Sequence, residues 1–166
     1  DGIDKICAGL PSSQTVSMGT NGGTLTLTKL DEMIDAVRTK NIALIMSRRT
    51  RRTLQGLIRT SGAILESRPG AFLEWVQLYN GVPIFINDYI SNAQTVGTSS
   101  DCSTVYCFSM GEPDQGVVGL TAPGGMQVER IGELESKDAT RHRVKWYSAI
   151  AVLSTLSLAR LIGVRT

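Results

Sequence analysis

The sequence is poor in aromatic and charged residues and has no long apolar run. Aromatic residues make up 5% of the 166 residues, charged residues make up 19%, and the net charge is +2. So few aromatic rings leave little material for stacking nucleic-acid bases, and so small a net charge creates no field typical of a nucleic-acid-binding domain. No apolar run approaches the roughly 20 residues that a membrane-spanning helix needs. We therefore expect no membrane partner.

Cysteine and histidine are also scarce. Cys7, Cys102 and Cys107 cannot all pair within one chain, and the spacing of the last two is not that of zinc ligands. The single histidine, His142, lies far along the chain from them. We expect reduced structural thiols, with no metal and no cofactor.

Motifs of catalysis are missing as well. The sequence has no G-x-S-x-G, H-E-x-x-H or C-x-x-C motif, and its glycine-rich stretch at 19–23 lacks the lysine of a P-loop. The sequence therefore predicts no catalytic residue, no enzyme activity and no small-molecule substrate.

What the chain does contain is centred on a short apolar run at Ile42–Met46, typical of a strand buried on both faces. Ser47 follows as a helix N-cap, and Leu54, Leu57 and Ile58 then recur at helical spacing. Hydrophobic residues make up 42% of the chain, enough for a real core. The sequence predicts a strand followed by an arginine-rich helix.

The flanking segments predict further helices and strands. Thr28 and Asp31 resemble a capping box before an apolar helix face, and Pro83 opens a second buried strand. Residues 70–78 are predicted as a helix or turn, residues 91–104 as a surface loop, and residues 105–110 as a strand. Alternating helices and strands favour helices that cover a sheet.

The pattern changes after the Pro-Gly-Gly break at 123–125. Two runs of mixed apolar and charged residues, 126–135 and 141–153, predict a long antiparallel hairpin with one wet face, joined by residues 136–140. The chain thus divides into an α/β lobe, residues 1–125 with the returning segment 150–166, and a β-hairpin lobe at 126–149.

Isolated polar groups have structural explanations. Asp31, Glu32 and Asp35 lie near a predicted helix start, where carboxylates favour the helix dipole. Asp88 ends a strand and has no identifiable catalytic partner, and His142 lies on the apolar side of its strand, as a core or interface residue. The arginines at 48, 49, 51, 52 and 59 favour a solvated or subunit-facing helix surface over a site for phosphate.

The order of segments resembles the C-terminal half of a tailed-bacteriophage major capsid protein. The segments that carry the resemblance are DGIDKI, IALIMSRRTRRTL, GVPIFINDYI, VYCFSMG, GGMQVERIGELE and RHRVKWYSAIAVLSTLSLARLIGV. They cover essentially the whole chain, and their evidence is shared order and spacing. The resemblance implies an α+β fold in which a small mixed sheet flanked by helices forms an axial domain and a long β-hairpin forms part of a peripheral domain.

The resemblance also implies a role and partners. It implies a structural subunit of an icosahedral phage or prophage capsid, made in the bacterial cytoplasm and assembled from copies of itself into pentamers and hexamers that enclose double-stranded DNA. The chain begins at Asp1, and we expect a family N-terminal half to precede it. Candidate subunit contacts lie on the arginine-rich helix and on the hairpin: Arg48, Arg49, Arg51, Arg52, Arg141, Arg143, Lys145 and Tyr147.

Two alternatives stay open at this point. One is an encapsulin-like compartment shell, which shares the fold but encloses enzymes. The other is a nucleic-acid-binding module that uses the helix from Arg48 to Arg59, whose binding would fall steeply with salt.

Overall fold

A computed structural model describes residues 2–62, 64–70, 75–113 and 115–165. Its helices are α1 (Ile3–Ala8), α2 (Leu27–Ala36) and α3 (Arg48–Thr60), and two short 3₁₀ turns lie at Ser12–Gln14 and Thr155–Ser157.

Thirteen strands make up most of the rest. They are β1 (Thr15–Ser17), β2 (Gly23–Thr24), β3 (Ile42–Met46), β4 (Glu66–Pro69), β5 (Trp75–Tyr79), β6 (Val82–Ile86), β7 (Gln94–Val96), β8 (Ser99–Ser109), β9 (Val117–Thr121), β10 (Gln127–Leu134), β11 (Lys137–Lys145), β12 (Ser148–Val152) and β13 (Leu158–Arg165).

The main sheet is mixed. Its strand order is β1-β13-β8-β3-β6-β5-β4, with β2 also beside β13 and β7 beside β8. Strands β3 and β6 are parallel, whereas β8 runs antiparallel to both β3 and β13. Two separate two-stranded sheets, β9 with β12 and β10 with β11, complete the described strands. The predicted α+β fold, with a mixed sheet and helices, is confirmed.

Alternation along the central strands divides the core between the two faces of the sheet. In β8, Val105 and Cys107 point to the face that carries α2 and α3, while Tyr106 and Phe108 point to the face that carries α1. The larger cluster also takes Leu44 and Met46 from β3, Leu30 and Met33 from α2, Leu54 and Ile58 from α3, and Leu161 from β13. Because both faces are covered, β3 is continuously apolar and so is the stretch 105–108 of β8.

The arginine-rich helix starts where the sequence predicts. Ser47 has an extended backbone, and its hydroxyl accepts a hydrogen bond from the Thr50 backbone N–H. At the other end, the Gly62 N–H donates to the Arg59 carbonyl, and its positive φ of 76° suits a glycine past the helix end.

The start of α2 was placed two residues too late. The N-cap is Thr26, whose hydroxyl accepts from the Lys29 N–H, and Thr28 lies within the first turn. Leu25 before the cap and Leu30 inside the helix are both buried in one cluster, the arrangement of a hydrophobic staple. The Thr26 cap and the staple together place the start of the helix before Thr28, so the Thr28–Asp31 pattern is not its capping box. Asp31 is consequently beyond the first turn.

Residues 75–79 are a strand of a hairpin, so the helix or turn predicted over residues 70–78 is wrong where the structure describes it; residues 71–74 lie outside the described part. Strands β5 and β6 join through Asn80 and Gly81, with φ values of 48° and 78°. Two successive positive φ values define the tight turn that matches the twist of paired strands, and Asn-Gly is its preferred sequence.

The surface loop predicted over residues 91–104 is also wrong, because most of it belongs to β7 and β8. Ser103 and Thr104 are buried in β8, and the Thr104 hydroxyl donates to the Gln94 side-chain carbonyl. The small polar side chains of β8 make its sequence look like a loop. They can be buried in a strand because hydrogen bonds across the sheet satisfy them.

The single long strand predicted over residues 141–153 is two strands. β11 pairs with β10, β12 pairs with β9, and the chain changes partner at Trp146 and Tyr147. The link between β10 and β11 is the two residues Glu135 and Ser136, shorter than the predicted 136–140. A period-two pattern continues through the change of partner because both parts are extended, so periodicity could not reveal it.

Candidate subunit-contact surfaces

The first surface is a cleft at the N-terminal end of α3. Its volume is about 380 Å³, and its lining residues are Ser47, Arg48, Arg49, Arg52, Asp88 and Asn92. Three of the four arginines of this helix that were predicted as subunit contacts therefore meet in one place. The helix places Arg48 and Arg52 one turn apart, on the same side.

The loop that follows β6 forms the opposite wall of this cleft. The Arg48 guanidinium donates to the Asp88 carboxylate at 2.7 Å, and the Ser47 hydroxyl donates to the Asn92 side chain at 2.7 Å. The hydrogen bond to Asp88 raises the pKa of Arg48 above its ordinary value. Within the loop, the Tyr89 N–H donates to the Asn87 side chain at 2.9 Å, and the Tyr89 side chain is 97% exposed. The loop thus presents an exposed aromatic ring.

Arg49 and Arg51 are less available than the sequence suggested. Arg49 donates to the Asp101 backbone carbonyl, and the Nε atoms of both arginines are buried without a hydrogen-bond partner within the described residues. Arg51 is half-buried and does not line the cleft. The four arginines therefore do not form one continuous exposed surface.

The second surface is the arm, which we define as residues 127–145, strands β10 and β11 with their turn. Almost every side chain of both strands is exposed, including Arg141 and Arg143. Glu129 lies opposite Arg143 and forms an ion pair with Lys145 at 2.6 Å. On the other face Val128 lies opposite Val144, and these side chains are 66% and 61% exposed.

Exposed apolar residues continue at the base of the arm. Trp146 is 63% exposed and Tyr147 is 67% exposed, and both line a shallow groove with Leu120. The sequence placed Val144, Trp146 and His142 on a buried or interface side; all three are exposed in the single chain. Contiguous apolar surface of this kind marks interaction sites on globular proteins.

The two surfaces are separate. No hydrogen bond or ion pair among the described residues joins the cleft arginines to Arg141, Arg143, Lys145 or Tyr147. Each set therefore has to be considered as its own surface.

Side chains that could in principle act in catalysis or bind metal either have a structural hydrogen bond or are buried. Asp88 fixes the loop to α3, and Asp31 accepts a hydrogen bond from the Tyr79 hydroxyl at 2.8 Å. Burial raises the pKa of the Cys7 thiol to about 11 and that of Cys107 to about 12, which leaves both as weak nucleophiles. In the ranges that the structure describes, no three His, Cys, Asp or Glu side chains are placed to hold a metal ion. None of the helices described is long and apolar enough to cross a membrane.

Sequence reasoning missed several residues of these surfaces. Arg48 and Asp88 are 40 residues apart, and no local pattern reveals such a pair. Tyr89 follows Asn87 and Asp88, residues that favour local turns, so its exposure had a recognisable signal. The exposure of Val128 and Val144 had none, because alternation predicts only that one face is apolar.

Comparisons with known proteins report on the fold. No protein-family model and no curated protein matches the chain. Among solved structures, the holo-SrpI encapsulin complex from Synechococcus elongatus PCC 7942 superposes with a TM-score of 0.76 at 22% identity, over 95% of this chain and 55% of that one. The chain has the fold of a shell protein. The capsid of an empty GTA particle superposes with a TM-score of 0.58 at 16% identity, over 90% of this chain and 49% of that one.

These neighbours confirm the predicted likeness to the tailed-phage major capsid fold. The chain spans about half the length of the solved chains that it matches. The capsid-type fold therefore describes nearly all of this sequence, and only part of each neighbour.

Proposed function

We propose that this chain is a shell-forming structural subunit, which assembles with copies of itself into a closed capsid. The observation that carries the proposal is a shell-protein fold over almost the whole chain, joined to an arm that is exposed on both faces. In this proposal residues 1–125 and 150–166 form the axial domain around the symmetry axes, and residues 126–149 form the peripheral hairpin.

The exposed surfaces support an assembly role. Arginine, tyrosine and tryptophan are enriched where proteins bind one another most strongly. Arg48 and Arg52 line the cleft, Tyr89 is exposed on the loop next to Asp88, and Arg143 and Trp146 lie on or beside the arm. A ring or shell needs two different surfaces on each copy, because its contacts are heterologous.

We propose that the shell encloses DNA, as in a phage, prophage or phage-derived particle, with DNA only an indirect partner of this chain. The Arg48 charge is offset by Asp88, and Arg49 is bound to a backbone carbonyl. This arrangement favours a structural use of the arginine-rich helix over direct nucleic-acid binding.

A second candidate is an encapsulin-like compartment shell. The higher TM-score with the encapsulin, 0.76 against 0.58, favours it. Purified particles separate the two candidates, because a DNA capsid contains nuclease-protected DNA and a compartment contains protein cargo.

The test of the shell function is the mass and shape of the full product of the gene. We expect size-exclusion chromatography with light scattering to give particles of many copies, and negative-stain images to show rings or closed shells. Charge reversal at Arg48 and Arg52 should reduce particle yield. A discrete monomer or dimer under all solution conditions would refute the proposal.

A further inference from the structure

The sequence contains two Asn-Gly pairs, Asn21-Gly22 and Asn80-Gly81. Asparagine is a thermolabile residue, and it loses its side-chain amide most readily before glycine, which has no Cβ to keep its backbone nitrogen away from the asparagine side chain. Both pairs lie in turns, and the two glycines have positive φ values of 69° and 78°. The chain therefore carries the same reactive dipeptide twice, in two different surroundings.

The first pair is held by hydrogen bonds to the fold. The Gly22 N–H donates to the Gly19 carbonyl at 3.1 Å, and the Asn21 side-chain carbonyl accepts from the Thr98 N–H at 3.2 Å. A Cβ at Gly97 would overlap this same carbonyl oxygen, so the Asn21 side chain also lies in close contact with a neighbouring turn. Both the attacking nitrogen and the carboxamide of the first pair are therefore fixed.

The second pair is free of such contacts. The Gly81 N–H has no acceptor among the described residues, and a Cβ at Gly81 would meet nothing within 4 Å. Asn80 and Gly81 are both exposed. The Asn80 carboxamide donates one long hydrogen bond, 3.3 Å, to the Asp31 carboxylate. Here the attacking nitrogen is free, and a single weak contact holds the group that it would attack.

We propose that Asn80 is a site of spontaneous deamidation and that the fold protects Asn21 from the same reaction. Hydroxide removes the proton from the Gly81 backbone nitrogen, which attacks Asn80 Cγ. The N–Cγ bond forms, the Cγ–Nδ2 bond breaks, and the side-chain nitrogen leaves as ammonia. Water then opens the cyclic imide, at Cγ to give aspartate or at the main-chain carbonyl to give isoaspartate. This modification goes beyond the shell function and does not depend on it.

Either product changes the hairpin of β5 and β6. Aspartate at position 80 replaces the amide donor to Asp31 with a second carboxylate, and neighbouring like charges repel. The same Asp31 oxygen accepts from the Tyr79 hydroxyl, so the repulsion acts on a contact that joins the hairpin to α2. Isoaspartate adds a backbone carbon to a two-residue turn whose geometry matches the twist of its strands. Deamidation therefore loosens this end of the main sheet.

The test compares the two asparagines in one sample. We would incubate the full gene product at mildly alkaline pH and follow conversion at both positions by peptide mapping with mass spectrometry. We expect Asn80 to convert several-fold faster than Asn21 in the folded protein. The same protein unfolded in urea is the control, and there the two rates should become similar because only the shared dipeptide remains. Equal rates in the folded protein, or an intact Asn80 while the unfolded chain reacts, would overturn the proposal.

The consequence for the hairpin is tested with a variant that carries the aspartate product. Asn80→Asp should lower the midpoint of urea denaturation. In an Asp31→Asn background, which keeps an acceptor for the Tyr79 hydroxyl, the same substitution should lower it several-fold less. An equal loss in both backgrounds would contradict the repulsion at Asp31.

Discussion

We call the part of the molecule outside the arm the body. The body and the arm differ in how far they bury their apolar side chains. In the body, helices pack on both faces of the sheet at β3 and β8, and most of the apolar side chains of these strands are buried. In the arm, equally regular strands bury almost nothing, and apolar side chains such as Val128 and Val144 face solvent. The comparison shows which part the chain buries by itself and which part it leaves exposed.

The largest expected effect compares truncations of apolar side chains in the two regions. Leu44→Ala in β3 removes a fully buried side chain and should lower the free energy of unfolding by about 2–5 kcal/mol. Val144→Ala in the arm should change it by less than about 0.5 kcal/mol, because the side chain is already exposed. Urea denaturation of the monomeric chain measures both. Equal losses would mean that the arm is packed.

Glycine substitutions give a smaller contrast within the body. Gly22 has φ +69°, and a Cβ there would lie 2.7 Å from the Gly163 carbonyl oxygen. Gly22→Ala should therefore cost about 1–3 kcal/mol. Gly56, inside α3 with open space around it, is the control: Gly56→Ala should stabilise by about 0.5–1 kcal/mol. Thermal denaturation distinguishes the signs, and a neutral Gly22→Ala would contradict the close approach.

The helix cap of α3 should have a moderate effect. Ser47→Ala removes the acceptor for the Thr50 N–H and the donor to Asn92, so we expect a loss of about 1 kcal/mol. Ser47→Asp keeps an N-cap acceptor and should recover part of it. Full stability of Ser47→Ala would show that the cap and the loop contact contribute nothing.

The last contrast concerns alkaline pH. Burial raises the pKa of Cys7 to about 11 from an ordinary value near 9. The unfolded chain therefore loses this proton first, and stability should fall as pH rises from about 9 to 11. Cys7→Ala should show a shallower fall of stability with pH in denaturation experiments.

Thiol labelling tests the burial of Cys7 directly. A thiol introduced by Val144→Cys should react rapidly at pH 8, unlike Cys7, and rapid labelling of native Cys7 would contradict its burial.

How much the sequence predicts differs between body and arm. Strand β3 and the Ser47 cap follow from local rules, and both are confirmed. The first half of β8 was missed because its serines and threonines look like a loop until a neighbouring strand satisfies them. The extended strand at 141–153 hid a change of partner, since pairing is non-local.

The candidate surfaces were predicted in outline only. Composition and spacing identified the arginines of α3 and the charged residues of β11, whose contact role stays a prediction. They could not show that Asp88 lies against Arg48, or that Arg51 is half-buried, because both depend on how distant segments pack. The arm's exposure was equally invisible, because burial within an assembly and burial within a chain have the same sequence pattern.

Hydrogen exchange of the arm, in the monomeric chain and in assembled particles, tests the account most directly. We predict that amides of residues 127–145 exchange rapidly in the monomer and become at least tenfold slower in particles, while amides of β3 and β8 are protected in both. Equal protection of the arm in the two states would contradict an arm completed by assembly.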